Sequence, residues 1–475
     1  MQISSVGFGC YRTDISIDEH QNALSHALEN GINVIDTSAN YFNGGSELLV
    51  GNVLNKLVND GKIKRKNILL VTKGGYIQGT NYRNATELEK SGKLFSGTVK
   101  IQPGLWHCIH PDFLEYQLTL QFERLKQDYI DIYLLHNPEY FLQKAKEDKT
   151  EKQSAAEEYY DRIKMSFEFL ESKVKEGKIL SYGISSNTFV GYSEKYDFTS
   201  LEKVIDIAES ISAENHFRAI QFPLNLLESG ALIKNQLQKT RTLLELAKTK
   251  NLKVFINRPL NAITSKGLVR FADFESEAFE EKDFIKKMKL VSLMEEDLLN
   301  EKIEHENISR DDKKLFSNLL NTGKVISENW KFFGSIEHFN DVISQIFAPK
   351  IDSIIKSMNE IITDNSIKEL TEKYLKECYL LLNLTGRYYK IRAAKRSAFI
   401  HGLINNSLDK KYHNLTLSQK TYLILKSVTG VDCVLTGMRK ENYVNDALKI
   451  LSENKISNAE KIIEYVSKEV ENAGT

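Results

Sequence analysis

The chain predicts an α/β fold, a (β/α)8 TIM barrel with an inserted α-helical subdomain between strands seven and eight. Three observations predict it. Apolar runs of strand length alternate with helical patterns from the start to about residue 264. Those runs are nearly continuous in apolar residues, as a parallel sheet covered on both faces requires. A further run of the same kind, "VDCVLTG", appears only at residues 431–437. Eight strands, each followed by a helix, favour a closed barrel; the alternative is a doubly wound sheet in two domains.

The strands, in order, are "SVGFGCY", "NVIDTS", "ILLVTK", "YIDIYLLH", "SYGIS", "AIQFPLN", "KVFINRP" and "VDCVLTG". The first helix is expected to open on a capping box of Ser16 and Glu19 and to end at Gly31. A later helix carries Ile163, Phe167, Leu170 and Val174 as an apolar stripe. A last helix starts at about residue 441. Between strands seven and eight the chain reads as helical, in "FEEKDFIKKMKLVSLMEEDLL", "WKFFGSIEHFNDVISQIF" and "SIKELTEKYLKECYLLLNL", with Pro349 its single proline. A connection of that length is not a bare loop. Residues 1–264 and 416–475 are therefore assigned to the barrel and 265–415 to a helical insertion. Because it follows a strand, the insertion is expected on the C-terminal face, where barrel active sites lie.

Composition narrows the function classes. The chain has 475 residues, 41% of them apolar, enough for a barrel core and an additional unit. Its 64 basic and 64 acidic residues balance, which argues against a nucleic-acid partner. Cys10, Cys108, Cys378 and Cys433 are too scattered for a disulfide framework. The opening "MQISSVGFGCYR" has no basic segment followed by an apolar one, and no run approaches a membrane span. A cytoplasmic protein without a membrane partner is the expectation.

The strand ends carry polar groups. Strand two ends on Asp36, strand three on Lys73, strand four on His136 and Asn137. Strand five ends on Ser186 and Asn187, strand six holds Gln221 and ends at Asn225, and strand seven ends on Asn257 and Arg258. One such residue is commonly a cap or a satisfied polar group; a lysine, an aspartate and a histidine at one rim are more than that. Tyr41 follows five residues after Asp36. A phenol is a poor acid near neutrality, but an adjacent ammonium favours its ionised form. Asp36 would keep Lys73 charged and fixed, so Tyr41, Lys73 and Asp36 could form a tuned proton donor, with His136 on the same substrate oxygen.

These stretches resemble the aldo-keto reductase family. The matching segments are "GFGCYR", "GINVIDTSANY…SE", "LLVTKGGY", "YIDIYLLHNPE", "GKILSYGISSN", "QFPLNLLE" and "VLTGMRKENYVNDAL", in the family's order, over residues 1–264 and 415–450. Within the family, "HNPEYF" and "NRPLNA" look most like the sugar-dehydrogenase branch. The resemblance implies an oxidoreductase that moves a hydride between NAD(P)H and the carbonyl of an aldehyde, ketone or sugar, or the reverse. It implies Tyr41 as general acid/base, tuned by Lys73 and Asp36, with His136 orienting the carbonyl. It implies NADP(H) or NAD(H) held by Gly9, Cys10 and Tyr11 after strand one, by Asp36, and by Ser186, Asn187 and Gln221 at the nicotinamide. Asn257 and Arg258 lie where the pyrophosphate passes, and Gly437 and Arg439 near the adenosine phosphate. Two departures stand out. "QFPLN" offers Leu224 where many members stack an aromatic on the nicotinamide, and only Arg439 and Lys440 could replace the usual 2′-phosphate clamp. The alternative class is a cofactor-binding sensor or scaffold protein whose helical insertion docks a protein partner.

Two further stretches stand apart. "GLWHCIHP" holds His107, Cys108 and His110 without the additional ligands a metal site needs, so no metal is expected. Trp106, His107 and Asn137 are candidate substrate contacts. "GRYYKIRAAKRSAFIH" concentrates Arg387, Lys390, Arg392, Lys395 and Arg396, either a solvated face or an anion-recognition site. Cys10 beside the nicotinamide site is read as small-residue packing.

Overall fold

A computed structural model describes residues 2–236, 239–264, 267–275 and 277–473. Eight parallel strands close into a barrel: β1 (Val6–Gly9), β2 (Val34–Asp36), β3 (Leu69–Gly74), β4 (Ile130–His136), β5 (Ile179–Ser185), β6 (Phe217–Pro223), β7 (Lys253–Asn257) and β8 (Cys433–Gly437). Each pairs with its neighbour in chain order, and β1 closes on β8 with Gly9 opposite Gly437. The chain divides into two compact units, one made of the residues to Leu260 with Ser407–Glu471, the other built on Asn261–Asn406.

The barrel is filled by one side-chain set of period two. Val34, Leu69, Val71, Ile132, Leu134, Ala219, Phe255, Cys433 and Leu435 form a single buried cluster. Gly7 and Gly183 share this face because there is no room for more. A Cβ on Gly183 would stand 1.9 Å from the Ala219 carbonyl oxygen, and one on Gly7 2.8 Å from Cys433 Sγ. Continuing the same alternation by two residues along each strand arrives at Asp36, Lys73, His136, Ser185, Gln221 and Asn257. The chemistry-bearing residues are thus the next layer of the barrel's own filling, at the C-terminal ends of the strands.

The first helix spans Asp18–Glu29 and does not open on the expected capping box. Ser16 instead bonds Asp14, its N–H donating to the carboxylate at 2.9 Å, so the helix starts at Asp18 with no side-chain cap. Gly31 does turn the chain beyond the helix, at φ 101°. After β3 the chain adds a small antiparallel sheet, Tyr76–Ile77, Val99–Gln102 and Leu105–His107, which pairs Tyr76 with His107.

The second unit opens with a hairpin, Asn261–Thr264 against Gly267–Arg270, and is otherwise helical. Its axis is a helix of 41 residues, Asn365–Asn405. Tyr374, Cys378, Leu381 and Tyr389 from that helix pack with Phe284, Val291, Phe316 and Phe339 in one apolar core. Buried Glu295 is satisfied there by the Gly323 N–H at 2.6 Å and the Tyr374 hydroxyl at 2.8 Å. The segment read as helical from Trp330 is helical only from Ile336, where Ser335 caps it; the preceding helix ends at Asn329, and the chain turns through Gly334 at φ 73°. Among the described residues, no helix is long and apolar enough to cross a membrane.

Candidate active site

Lys73 is fully buried, and its ammonium has three partners. It donates to Asp36 Oδ2 at 2.7 Å, to the Thr37 carbonyl at 2.9 Å and to the Tyr41 hydroxyl at 3.4 Å. Those three bonds match its three donors, so the charge is held without solvent. Asp36 Oδ1 accepts from Gln221 Nε2 at 2.8 Å. Gln221 Oε1 accepts from Ser185 Oγ at 3.0 Å and Asn257 Nδ2 at 3.4 Å. One carboxylate therefore links β2 and β3 to β5, β6 and β7 across the barrel mouth.

Tyr41 sits in a turn that the sequence makes unusual. Phe42 and Asn43 are both left-handed, at φ 46° and 55°, and Gly44 follows at φ 91°. Asn43 tolerates this better than most residues, and its amide is tied to the start of helix Gly79–Lys90, accepting from the Thr80 N–H at 2.8 Å and donating to the Thr80 hydroxyl at 2.9 Å. Phe42 has no such excuse, and a strained non-glycine beside a reactive group is a recurring mark of functional turns. Burial pushes the Tyr41 phenol well above its ordinary value, and the Asp36 charge pushes the same way. The net direction is opposite to the expected one, because desolvation and the Asp36 charge outweigh the Lys73 ammonium 3.4 Å from the phenol.

His136 lies edge-on to Tyr41, ring centroids 6.1 Å apart, and to Tyr76 at 4.6 Å. Burial, then the Lys73 charge, hold it well below its ordinary value, so it is neutral at pH 7. Ser38 Oγ donates to Asn40 Oδ1 at 2.7 Å and lies 3.1 Å from His136 Nδ1. That arrangement puts the ring proton on Nδ1 and leaves Nε2 as an acceptor.

The candidate substrate contacts separate. Asn137, left-handed at φ 51°, donates to the Tyr76 hydroxyl at 2.7 Å and stays at the rim. His107 is behind the rim: it is buried, pushed down to about 4 by desolvation, and its Nε2–H donates to the His136 carbonyl at 2.7 Å. Trp106 is corrected to a packing residue, buried with Ile77, Ala85, Cys108 and Phe113 and lying against Tyr82. Leu224 is fully buried and offers no face to a ring. The sequence reading missed Ser38, Tyr76, Ser185 and Glu139; only Ser185 carried a signal, its parity with Gly183.

The cofactor candidates fall into free and committed groups. Tyr11 is exposed and stands edge-on to Tyr41 at 5.3 Å. Cys10 is buried and its thiol is pushed up to about 12, which makes it an inert packing residue. Ser186 Oγ shares hydrogen bonds with Thr188 and Thr199, and the Asn187 N–H donates to Glu139 at 2.8 Å. Gln221 keeps one N–H beyond its bond to Asp36. Arg258, left-handed at φ 53°, pairs with Glu228 at 2.7 Å, yet its Nε and the neighbouring Asn257 Oδ1 have no partner. An orphaned cationic donor at the end of β7 fits a phosphate. Gly437 is exposed, Arg439 is partly buried near His20, and Lys440 pairs with Glu19 at 3.4 Å. A groove of about 840 Å³ between helices Lys152–Lys175 and Leu201–Ile211 includes none of these groups. Among the described residues, no group of three or more His, Cys, Asp or Glu side chains is placed to hold a metal.

The strand order and the rim layer place the chain among the (β/α)8 barrels with polar strand ends. The sequence profile of the aldo/keto reductase family matches residues 5–298, more than half of the chain, and the chain belongs to that family. An NAD(P)H-dependent D-xylose reductase of Scheffersomyces stipitis is 28% identical over 189 residues, covering 38% of this chain and 48% of the relative. The NADH-specific methylglyoxal reductase of Escherichia coli is 33% identical over 106 residues, 22% of this chain and 27% of the relative. The chain thus spans about half the length, or less, of the curated relatives it matches. A solved aldo-keto reductase of Bacillus halodurans, in its holo form, aligns with 98% of this chain and 92% of its own at 15% identity and a TM-score of 0.47. That score adds nothing to what strand pairing already shows.

Proposed function

We propose that the protein is an NAD(P)-dependent oxidoreductase acting on the carbonyl of an aldehyde, ketone or sugar, or on the corresponding alcohol, with Tyr41 as general acid/base. The observation that carries this reading is Lys73, buried between Asp36 at 2.7 Å and the Tyr41 hydroxyl at 3.4 Å, with His136 beside the phenol. When bound, the nicotinamide supplies or receives the hydride. The names of the relatives support both NADPH and NADH as donors; Arg439 and Lys440 are the residues here that would meet a 2′-phosphate.

The chain's own part is the proton. Tyr41 is raised, so it is protonated at working pH, the form needed to donate to an alkoxide as a carbonyl is reduced. Lys73 stabilises the phenolate left behind and aims the hydroxyl; Asp36 keeps Lys73 in place. Neutral His136 accepts a hydrogen bond at Nε2, which suits a hydroxyl of a sugar or of the product alcohol. Asn137 and Tyr76 give that side of the rim an amide and a phenol for further hydroxyls. The test is turnover of a carbonyl panel with NADPH and NADH, followed by Tyr41→Phe. Cofactor binding without turnover of any carbonyl, or full activity in Tyr41→Phe, would overturn the assignment.

A second reading gives the helical insertion, residues 265–415, to a protein partner. It rests on large apolar side chains left in solvent there, Phe332 at 79% and Leu293 at 62% exposure. Phe332→Ser with Leu293→Ser separates the two: loss of a pulled-down partner with unchanged reductase kinetics supports docking, and unchanged capture removes it.

A further inference from the structure

The basic run at residues 387–396 divides in the structure. Arg387 and Lys390 are neutralised by Glu277, at 3.0 and 2.6 Å. Arg392 and Arg396, one turn apart on the long helix, face elsewhere, into a small cavity with Arg270, Glu337, Ser335 and Tyr389. Arg270 comes from the hairpin and Glu337 from the restarted helix, so three separate elements converge. Three guanidiniums share one carboxylate, and the nearest pair, Arg270 with Glu337, is open at 3.6 Å. Arg396 is partly buried and, among the described residues, has no hydrogen bond or ion pair. Burial and the neighbouring Arg392 charge hold its guanidinium below its ordinary value, with Glu337 opposing. Arg392 lies over the rings of Tyr388 and Tyr389 and, among the described residues, hydrogen-bonds only the Tyr388 hydroxyl, at 3.4 Å.

Like charges at this spacing repel, and a partly desolvated guanidinium without a carboxylate costs free energy. Both costs fall when an anion lies between them. The local excess is two positive charges, the complement of a dianion, and the planar fork of arginine matches phosphate oxygens in pairs. Leu268, Phe274 and Ile336 line the rest of the cavity, which at about 20 Å³ encloses little more than a water, so the anion lies at its mouth and the organic group stays in solvent. A nucleic acid would need a longer basic track, and Glu277 interrupts this one.

We infer that Arg270, Arg392 and Arg396 form an anion-binding site in the helical unit for the phosphate group of a small-molecule phosphate monoester. This inference does not depend on the reductase reading. The full-length protein is titrated calorimetrically at constant ionic strength with inorganic phosphate and with glycerol 3-phosphate, and then with a single-stranded oligonucleotide. Saturable binding of the phosphates is expected, with affinity lowered tenfold or more in Arg396→Gln and in Arg270→Gln. Lys395→Gln, an exposed change on the same helix, should leave it unaltered. Circular dichroism and unfolding midpoints show whether each variant is folded; if Arg396→Gln is not, Arg270→Gln carries the test. Absent saturation, affinity unchanged from the parent's in both arginine variants, or tighter binding of the oligonucleotide than of either phosphate overturns the proposal.

Discussion

Glu139 follows the β4 rim and is almost completely buried. One of its oxygens accepts the Asn187 N–H at 2.8 Å; the other has no partner. Desolvation pushes its carboxyl up to about 7 from an ordinary 4.5, against the pull of the Asn187 hydrogen bond. The sign follows from comparing folded and unfolded chains. As pH rises above 4.5 the unfolded chain ionises while the folded one does not, so stability is lost until pH passes 7 and is constant beyond. At about 1.4 kcal/mol per pKa unit, the cost at pH 8 is about 3 kcal/mol and at pH 5 under about 1 kcal/mol. Glu139→Gln keeps the acceptor for Asn187 and removes the charge. The variant should therefore be more stable than the parent by about 2–3 kcal/mol at pH 8 and nearly equal at pH 5. Urea unfolding at several pH values measures this. Of the chain's two tryptophans, Trp106 belongs to the barrel unit and Trp330 to the helical unit, so a Trp330→Phe background confines the fluorescence signal to the barrel. A stability difference that does not change with pH, or a variant weaker than its parent at pH 8, would refute the reasoning.

Other outcomes follow from the same geometry. Lys73→Met strands Asp36 without its cation, and should lower barrel stability by about 3–5 kcal/mol and abolish turnover, read by urea midpoint and by steady-state rate. The reductive rate should show no loss between pH 6 and 9 from Tyr41, which keeps its proton, or from His136, which is neutral throughout; an ionisation near 7 in kcat that persists in Glu139→Gln would contradict these directions. Gly183→Ala drives a Cβ into the Ala219 carbonyl and should cost about 3 kcal/mol or more, visible as a fall in Tm. All four cysteines are buried, so the native protein should show no fast-reacting thiol with a maleimide, and four after denaturation.

The barrel was legible because its strands are long apolar runs whose parity continues to the rim: Val34 leads to Asp36, Val71 to Lys73, Leu134 to His136. Less legible were the parts whose structure is set by partners distant in sequence. The Tyr76–Ile77 strand has two residues, too few for any period, yet it carries the phenol that borders His136. Trp106 and His107 are adjacent in one such strand and face opposite ways, so one packs and the other fastens a carbonyl. The capping box failed for a local reason, since Asp14 competed for Ser16. The direction of Tyr41's shift was misjudged because a charged neighbour is visible in a sequence and desolvation is not.

Closure of β1 against β8 has a consequence for how the protein is made. The partner of β1 begins at Cys433, whereas β7 ends at Asn257. During vectorial synthesis the roughly 175 residues between them occupy the ribosome for about 10–35 s at ordinary elongation rates. Through that interval the first seven strands have two unpaired edges, each a template for mispairing. The helical segment is meanwhile complete and can fold from contacts close in sequence, whereas the barrel waits for its last strand. Nascent chains paused before residue 433 should be the most chaperone-dependent species in the life of this protein.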